Sequence, residues 1–366
     1  MNDFSPASGR APIWLVLFDP LPEPHSESPS AAFECLESRS LVFEQYLIQD
    51  VREQATLDDY FGGAEAVSSW AQALRLSAGR NVWLQLAADD SPATRAAAAV
   101  VTAPALVAAL QPDVFRLPVH LPDMFPESLL KSVSKAHLVL VTVRLRTLPV
   151  QESESESNPF SAADQNQVVD HTLAWLERLA AAALHGQKAP VWLVTGFRGP
   201  SRPLTSPFES GADESQFHVP LWWTEPLSAG TRLQSLCGSF DLLPTLAELL
   251  QDHEESTELD AGKGAEATAV AAESGSSPCA PVSLLSPQLQ GTAGGERLLK
   301  LRHDSWQGLR TSQYFLVQSQ ETPSEDTGDA GEFAGQQLYL KPEDYWNVNN
   351  SIVSYAEIAR EMTDGV

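Results

Sequence analysis

From Ile13 to Phe18 every side chain is apolar, and the run stops at Asp19-Pro20. A short apolar run without polar alternation predicts a strand covered on both faces, and Pro20 then takes the chain out of the sheet. Asn81 to Leu86, His137 to Leu145 and Val191 to Val194 are further predicted strands, mostly apolar, and Leu41 to Phe43 and Pro220 to Trp223 are shorter ones. Between these runs the apolar spacing changes to three and four residues. Phe33 with Leu36, then Val67, Trp70 and Leu74, then Val169, Leu173, Leu176, Leu179 and Ala183 each line one face of a predicted helix. Alanine richness predicts helix over Ala97 to Leu110. Ser161 to Asp164 resembles a helix-capping pattern, Gly186 a helix stop. Asp241 is placed to cap a helix whose first turn tolerates Pro244. Alternation of buried strands with helices predicts an α/β fold with a largely parallel central sheet flanked by helices.

The pattern divides the chain. The α/β core is predicted over residues 11–250. Residues 251–281, rich in Glu, Ser, Ala and Gly, read as an acidic low-complexity linker or excursion. Residues 282–366 read as a small C-terminal β-rich subdomain. Its strands fall at Glu296 to His303, Gly308 to Arg310, Tyr314 to Val317 and Gln337 to Tyr339, closed by a helix over Tyr355 to Met362.

Composition narrows the partners. Lys and Arg total 23 against 48 Asp and Glu, a formal charge of −25. A surface of that sign repels nucleic-acid phosphates and anionic membranes, so neither is an expected partner. Cys35, Cys237 and Cys279 are odd in number and far apart, with no C-x-x-C spacing, which argues against a disulfide framework or a structural zinc site. The polar stretch Met1 to Pro12, the brevity of the apolar run after it and the absence of any membrane-length segment predict a soluble, cytoplasmic protein.

Several segments in order resemble sulfatases of the alkaline phosphatase superfamily. Phe33 to Arg39 and the strand after it resemble the early stretch of that family, and Ala73-Leu74 through Gly79 to Leu84 resembles its next helix and strand. His218-Val219-Pro220-Leu221 through Ala229-Gly230 and Ser239-Phe240-Asp241-Leu242-Leu243-Pro244-Thr245-Leu246 resemble two further motifs. Gly308 to Thr311 with Tyr314 to Val317, and Leu338-Tyr339 with Asp344 to Asn350, resemble the closing ones. The resemblance reaches from about residue 13 to 350 and implies the sulfatase-type fold. Fold alone does not license activity.

The chemistry the family needs is a divalent cation, usually calcium, held by several carboxylates, a formylglycine made from Cys or Ser in a C/S-x-P-x-R sequence, and Lys and His around the leaving group. The first strand of the family ends in two metal-binding aspartates. Here Asp19 stands at the first position and Pro20 at the second, so Asp19 reads as a remnant ligand or, more plainly, as a strand-end residue capping a turn. The second metal motif aligns with Thr195-Gly196-Phe197-Arg198-Gly199, where Phe197 replaces Asp and Arg198 replaces His. Arg198 reads either as an anion contact in the cation's space or as an exposed loop arginine. Cys35-Leu36-Glu37-Ser38-Arg39 imitates the nucleophile motif but lies upstream of its place, and reads as a small, partly buried helical cysteine. Pro200-Ser201-Arg202 is a second imitation, and the window where the motif belongs, Gln49 to Gly62, has no Cys, Ser or Pro. Leu86 to Asp89 and Arg146 to Pro149 lack the expected Lys and His. His120, His137, His171 and His218 form no metal-binding spacing.

These residues predict a sulfatase-like pseudoenzyme without a cofactor, with a binding or regulatory role, possible partners being another protein or a sulfated ligand in the inherited cleft. Trp222-Trp223 and Tyr345-Trp346 are the candidate surface aromatics. The alternative is a divergent sulfuric or phosphoric ester hydrolase rebuilt around Asp19, Asp89, Asp90 and Asp241, using calcium or another metal.

Overall fold

Strand β1 (Ile13–Asp19) is buried along its whole length, between two parallel neighbours. It belongs to a computed structural model that describes residues 11–22, 30–52, 55–76, 80–87, 103–118, 124–145, 162–199, 214–224, 229–251, 281–286, 297–320, 335–341, 344, 347 and 349–364. The strands that follow are β2 (Leu41–Phe43), β3 (Tyr46–Leu47), β4 (Arg80–Ala87), β5 (Asp113–Pro118), β6 (Ala136–Arg144), β7 (Val191–Gly196), β8 (Leu221–Trp223), β9 (Arg232–Leu233) and β10 (Cys237–Gly238). The C-terminal strands are β11 (Leu299–Arg302), β12 (Trp306–Arg310), β13 (Tyr314–Ser319) and β14 (Gln336–Leu340). The helices are α1 (Ala31–Arg39), α2 (Leu57–Tyr60), α3 (Ala64–Leu76), α4 (Pro104–Leu110), α5 (Glu127–Val133), α6 (Ala162–Ala183), α7 (Leu242–Gln251) and α8 (Ala356–Asp364).

The main sheet runs β5-β4-β6-β1-β7-β8-β2-β9. From β5 to β7 all pairs are parallel, and β8 runs antiparallel to both β7 and β2. Apolar runs therefore mark the inner strands, because helices cover both faces. The edge strand β5, with Val114 and Arg116 exposed, has no such run and escapes the sequence pattern. Of the predicted helix over Ala97 to Leu110, only α4 lies within the described residues.

Local chemistry sets the boundaries. Ser30 caps α1 by accepting the amide of Phe33, and α1 turns Phe33 and Leu36 into the core. Gly186, at φ 77°, follows the end of α6 in a conformation that favours glycine. Asp241 does not cap α7 in the predicted way. Its carboxylate closes the preceding turn by accepting the Gly238 amide at 2.8 Å, and α7 begins at Leu242. Trp222 and Trp223 are both core residues, which removes them as surface candidates. A strand between two covered faces buries both sides, so Trp222 stacks on Phe33 at 4.8 Å and Trp223 on Phe43 at 6.5 Å. Tyr345-Trp346 lies outside the described residues.

The C-terminal strands form an antiparallel sheet in the order β11-β12-β13-β14. Alternation splits its faces: Phe315, Val317 and Tyr339 join the main core, whereas Leu316 and Leu338 pack with Ile352, Ala359 and Met362 beneath α8. Backbone bonds join it to the segment before α2, Arg302 N to Gln49 O at 2.7 Å and Val51 N to Arg302 O at 3.1 Å. Two buried charge clusters complete the seam. Asp241 accepts both guanidinium ends of Arg297, at 2.7 and 2.9 Å. Glu214 accepts Arg310 Nε at 2.9 Å and Lys341 Nζ at 2.5 Å, and Lys341 also donates to Asn347 Oδ1 at 2.6 Å. In each cluster the acid comes from the main body and the cations from the C-terminal part.

Burial alone would raise the Glu214 pKa, but attraction to Arg310 and Lys341 outweighs it and holds the carboxyl below its ordinary value of 4.5. A depressed carboxylate contributes stability that is present above the unfolded value and is lost as pH falls through the folded one. Glu214→Gln is expected to cost about 3–5 kcal/mol near pH 7, since it strands two buried cations. Urea denaturation from pH 7 to pH 3 checks this: the gap between wild type and variant should hold at neutral pH and shrink once the medium is more acidic than the unfolded carboxyl. A gap unchanged by acid would mean that Glu214 acts through packing.

Candidate functional site

The carboxyl ends of β6, β1 and β7 meet in one place, where an open α/β sheet offers its crevice. β1 delivers Asp19 there and β7 delivers Phe197 and Arg198. Phe197 N donates to Phe18 O at 2.7 Å and Leu21 N donates to Arg198 O at 2.8 Å, so residues 197 and 198 are pinned to β1 on both sides of Asp19. Gly196 permits the approach: a Cβ there would lie 2.7 Å from Leu21 Cβ.

Arg198 Nε lies 2.8 Å from Asp19 Oδ1, with side chains 18% and 11% exposed. The approach is an ion pair without hydrogen-bond alignment. Arg198 is not an exposed loop arginine, whereas Asp19 ends β1 as its plainer reading has it and faces a cation as well. The guanidinium also sits 5.4 Å from the Phe197 ring centroid. Pro20 is buried beside them. On the other flank the parallel register sets half-buried Arg144 beside Asp19, a neighbour that the apolar pattern of β6 did not single out.

Phe197 packs between the guanidinium and an aromatic partner. Its ring, 3% exposed, stacks on Tyr60 at 5.5 Å. Tyr60 shares a 2.8 Å hydroxyl pair with Tyr46, and its hydroxyl also meets Thr195. Burial pushes the Tyr60 phenol well up, against the smaller opposing effects of its bonds to Tyr46 and Thr195. Burial likewise raises Tyr46, with help from Tyr60. Both phenols are therefore held in the neutral form at physiological pH.

The window Gln49 to Gly62, in which the resemblance puts a nucleophile, is occupied by structural polar groups. Arg52 pairs with Asp50 through Nη2 at 2.5 Å. Thr56 and Asp59 form a reciprocal capping box on α2. Asp58 accepts the Ala105 and Leu106 amides, each at 3.0 Å, and so caps α4, which has no side-chain cap of its own. Pairing of Asp58 with a helix 46 residues on has no local sequence signal.

The other sequence candidates disperse. Cys35 is exposed on α1 instead of partly buried, because the inward stripe of α1 is Phe33 and Leu36. Asp241 is wholly buried and committed to Gly238, Val282 and Arg297, which leaves it no role in a rebuilt site. His171 is exposed on α6, and His218 Nε2 meets the Glu44 carbonyl. Asp89, Asp90, His120, Arg146 to Pro149 and Pro200-Ser201-Arg202 lie outside the described residues.

Calcium takes six to eight oxygen ligands. Among the described residues the ends of β6, β1 and β7 supply one carboxylate already facing a guanidinium, an aromatic ring and a second arginine, and that donor set does not fit the ion. Among the described residues no group of three His, Cys, Asp or Glu could hold a metal.

This architecture, with a mostly parallel central sheet, helices and a separate small antiparallel sheet, matches the alkaline phosphatase/sulfatase fold. No protein-family model matches the chain, and no curated protein matches it by sequence. Solved structures do. Ps i-CgsB, solved in complex with k-i-k-neocarrahexaose, superposes with a TM-score of 0.60 at 12% identity, over 97% of this chain and 91% of that one. BT33336S-sulf, from a Bacteroides thetaiotaomicron locus for metabolism of multiple glycosaminoglycans, gives 0.60 at 11% identity over 98% of each chain. The phosphonate monoester hydrolase SpPMH from Silicibacter pomeroyi gives 0.52 at 11% identity, over 97% and 95%. At such identities the likeness establishes the fold and carries no activity with it.

Removing the Tyr60 hydroxyl tests the aromatic filling. Tyr60→Phe should cost about 1–3 kcal/mol by leaving buried polar partners unpaired. Adding Tyr46→Phe should cost less than the sum of the two single changes. Chemical denaturation of the four proteins gives the coupling, and strict additivity would show that the hydroxyl pair contributes nothing of its own.

Proposed function

We propose that this chain is a non-catalytic protein on the sulfatase-type fold, with the cleft at the ends of β1 and β7 used for binding. The observation that carries the reading is the Asp19–Arg198 ion pair, in which the strand-end carboxylate faces an arginine of the same chain. The Phe197–Tyr60 stack supports it by filling the neighbouring space with carbon. Arg144 on β6 and Arg198 after β7 set a guanidinium on each flank of Asp19. Arg198 is the contact assigned to an anionic group, a carboxylate or sulfate ester on a protein or sugar, against the unfavourable field of the −25 chain. No cofactor is assigned. Among the described residues no helix is long and apolar enough to cross a membrane. A cytoplasmic setting is part of the proposal and agrees with the free thiols of Cys35 and Cys237.

The test is hydrolysis of chromogenic aryl sulfate and aryl phosphate by purified protein, with and without calcium, magnesium, manganese or zinc, beside Asp19→Ala. The expected result is no turnover above that of the variant under any metal. Metal-dependent turnover lost in Asp19→Ala would overturn the proposal in favour of a divergent ester hydrolase.

A further inference from the structure

We infer that the Arg198 guanidinium takes the part of a bound cation at the ends of β1 and β7, so that the cleft is a divalent-cation site closed by a covalently attached positive charge. This deepens the non-catalytic reading and rests on it, by naming what occupies the metal position of the fold.

Three observations carry it. First, the cation is delivered by backbone: the amide of Phe197 bonds Phe18 O and the carbonyl of Arg198 accepts from Leu21 N, one on each side of Asp19 along β1. A side chain anchored so close to its partner does not rely on a flexible loop to reach it. Second, both charged groups are largely withdrawn from water, at 18% and 11% exposure, where a carboxylate without a partner is strongly disfavoured. Third, the guanidinium is supported from below by the Phe197 ring, itself fixed on Tyr60. A tethered charge neutralises Asp19 at every metal concentration, whereas a bound ion does so only above its dissociation constant.

If the guanidinium is the cation, exchanging it for a carboxylate should recreate a demand for one. Arg198→Asp sets a second acid across from Asp19, and water can complete the shell of a calcium ion between them. Arg144, beside Asp19, opposes the ion, so the expected affinity is weak, on the order of millimolar.

The experiment is calorimetric titration of calcium chloride, at fixed ionic strength, into wild type, Asp19→Asn, Arg198→Asp and the Asp19→Asn/Arg198→Asp double variant, with circular dichroism confirming that each is folded. The acidic surface binds calcium diffusely in all four, so the differences are the signal. Arg198→Asp should take up one more calcium per chain than the double variant, and its melting temperature should rise by about 2 °C more in 10 mM calcium. Wild type and Asp19→Asn should not differ in calcium uptake. Asp19-dependent calcium binding by the wild type would overturn the inference, as would equal uptake by folded Arg198→Asp and the double variant. Should Arg198→Asp fail to fold, Arg198→Ala with and without Asp19→Asn makes the same comparison, with a smaller increment expected and its absence equally decisive. Ester hydrolysis by the wild type would overturn the non-catalytic reading whatever these titrations give. Failure of Arg198→Asp to gain calcium would leave that reading in place.

Discussion

A strand buried on both faces can offer chemistry only at its ends, and β1 is such a strand. With β6 on one side and β7 on the other, its side chains from Ile13 to Phe18 are all spent on the core. The polar group that β1 itself presents is therefore at its end, at Asp19. Among the described residues the ends of β1 and β7 carry few charged positions, and Asp19 and Arg198 face each other there.

The inner strands were legible because burial on both faces leaves mostly apolar runs, and the long helix α6 because its stripe repeats from Val169 to Ala183. The edge strand β5 was not, since half of its side chains face water and it carries no such run. The positions of Pro20, Phe197 and Arg198 at the ends of β1 and β7 could be read from sequence, because each comes just after an apolar run. What could not be read was that Arg198 turns back onto Asp19, a pairing between residues 179 positions apart that exists only once β7 lies beside β1. The exposure of Cys35 was missed because a two-residue stripe fixes the rotation of a nine-residue helix poorly. The work done by Asp58 and Asp241 was hidden for a different reason: each carboxylate bonds groups on segments far along the chain.

The same economy governs the seam. Asp241 and Glu214 are buried acids of the main body, and each receives its counter-charge from the C-terminal part, through Arg297 in one case and Arg310 with Lys341 in the other. Charge pairs of this kind add little net stability over apolar packing, yet they penalise any arrangement in which the partners are separated. They specify how the C-terminal sheet sits on the core more than how tightly it is held.

The division of that sheet's faces has its own consequence. Phe315 and Val317 point into the main core while Leu316, between them, points to α8. The sheet is thus a middle layer and not an appendage, and it has no face on which it could come away intact. A chain cut short before Arg297 would expose apolar surface on the core and strand Asp241 and Glu214 as bare acids in the interior. The main body and its C-terminal cover therefore share one set of buried contacts, and loss of either leaves the other with unmatched apolar surface and unmatched charge.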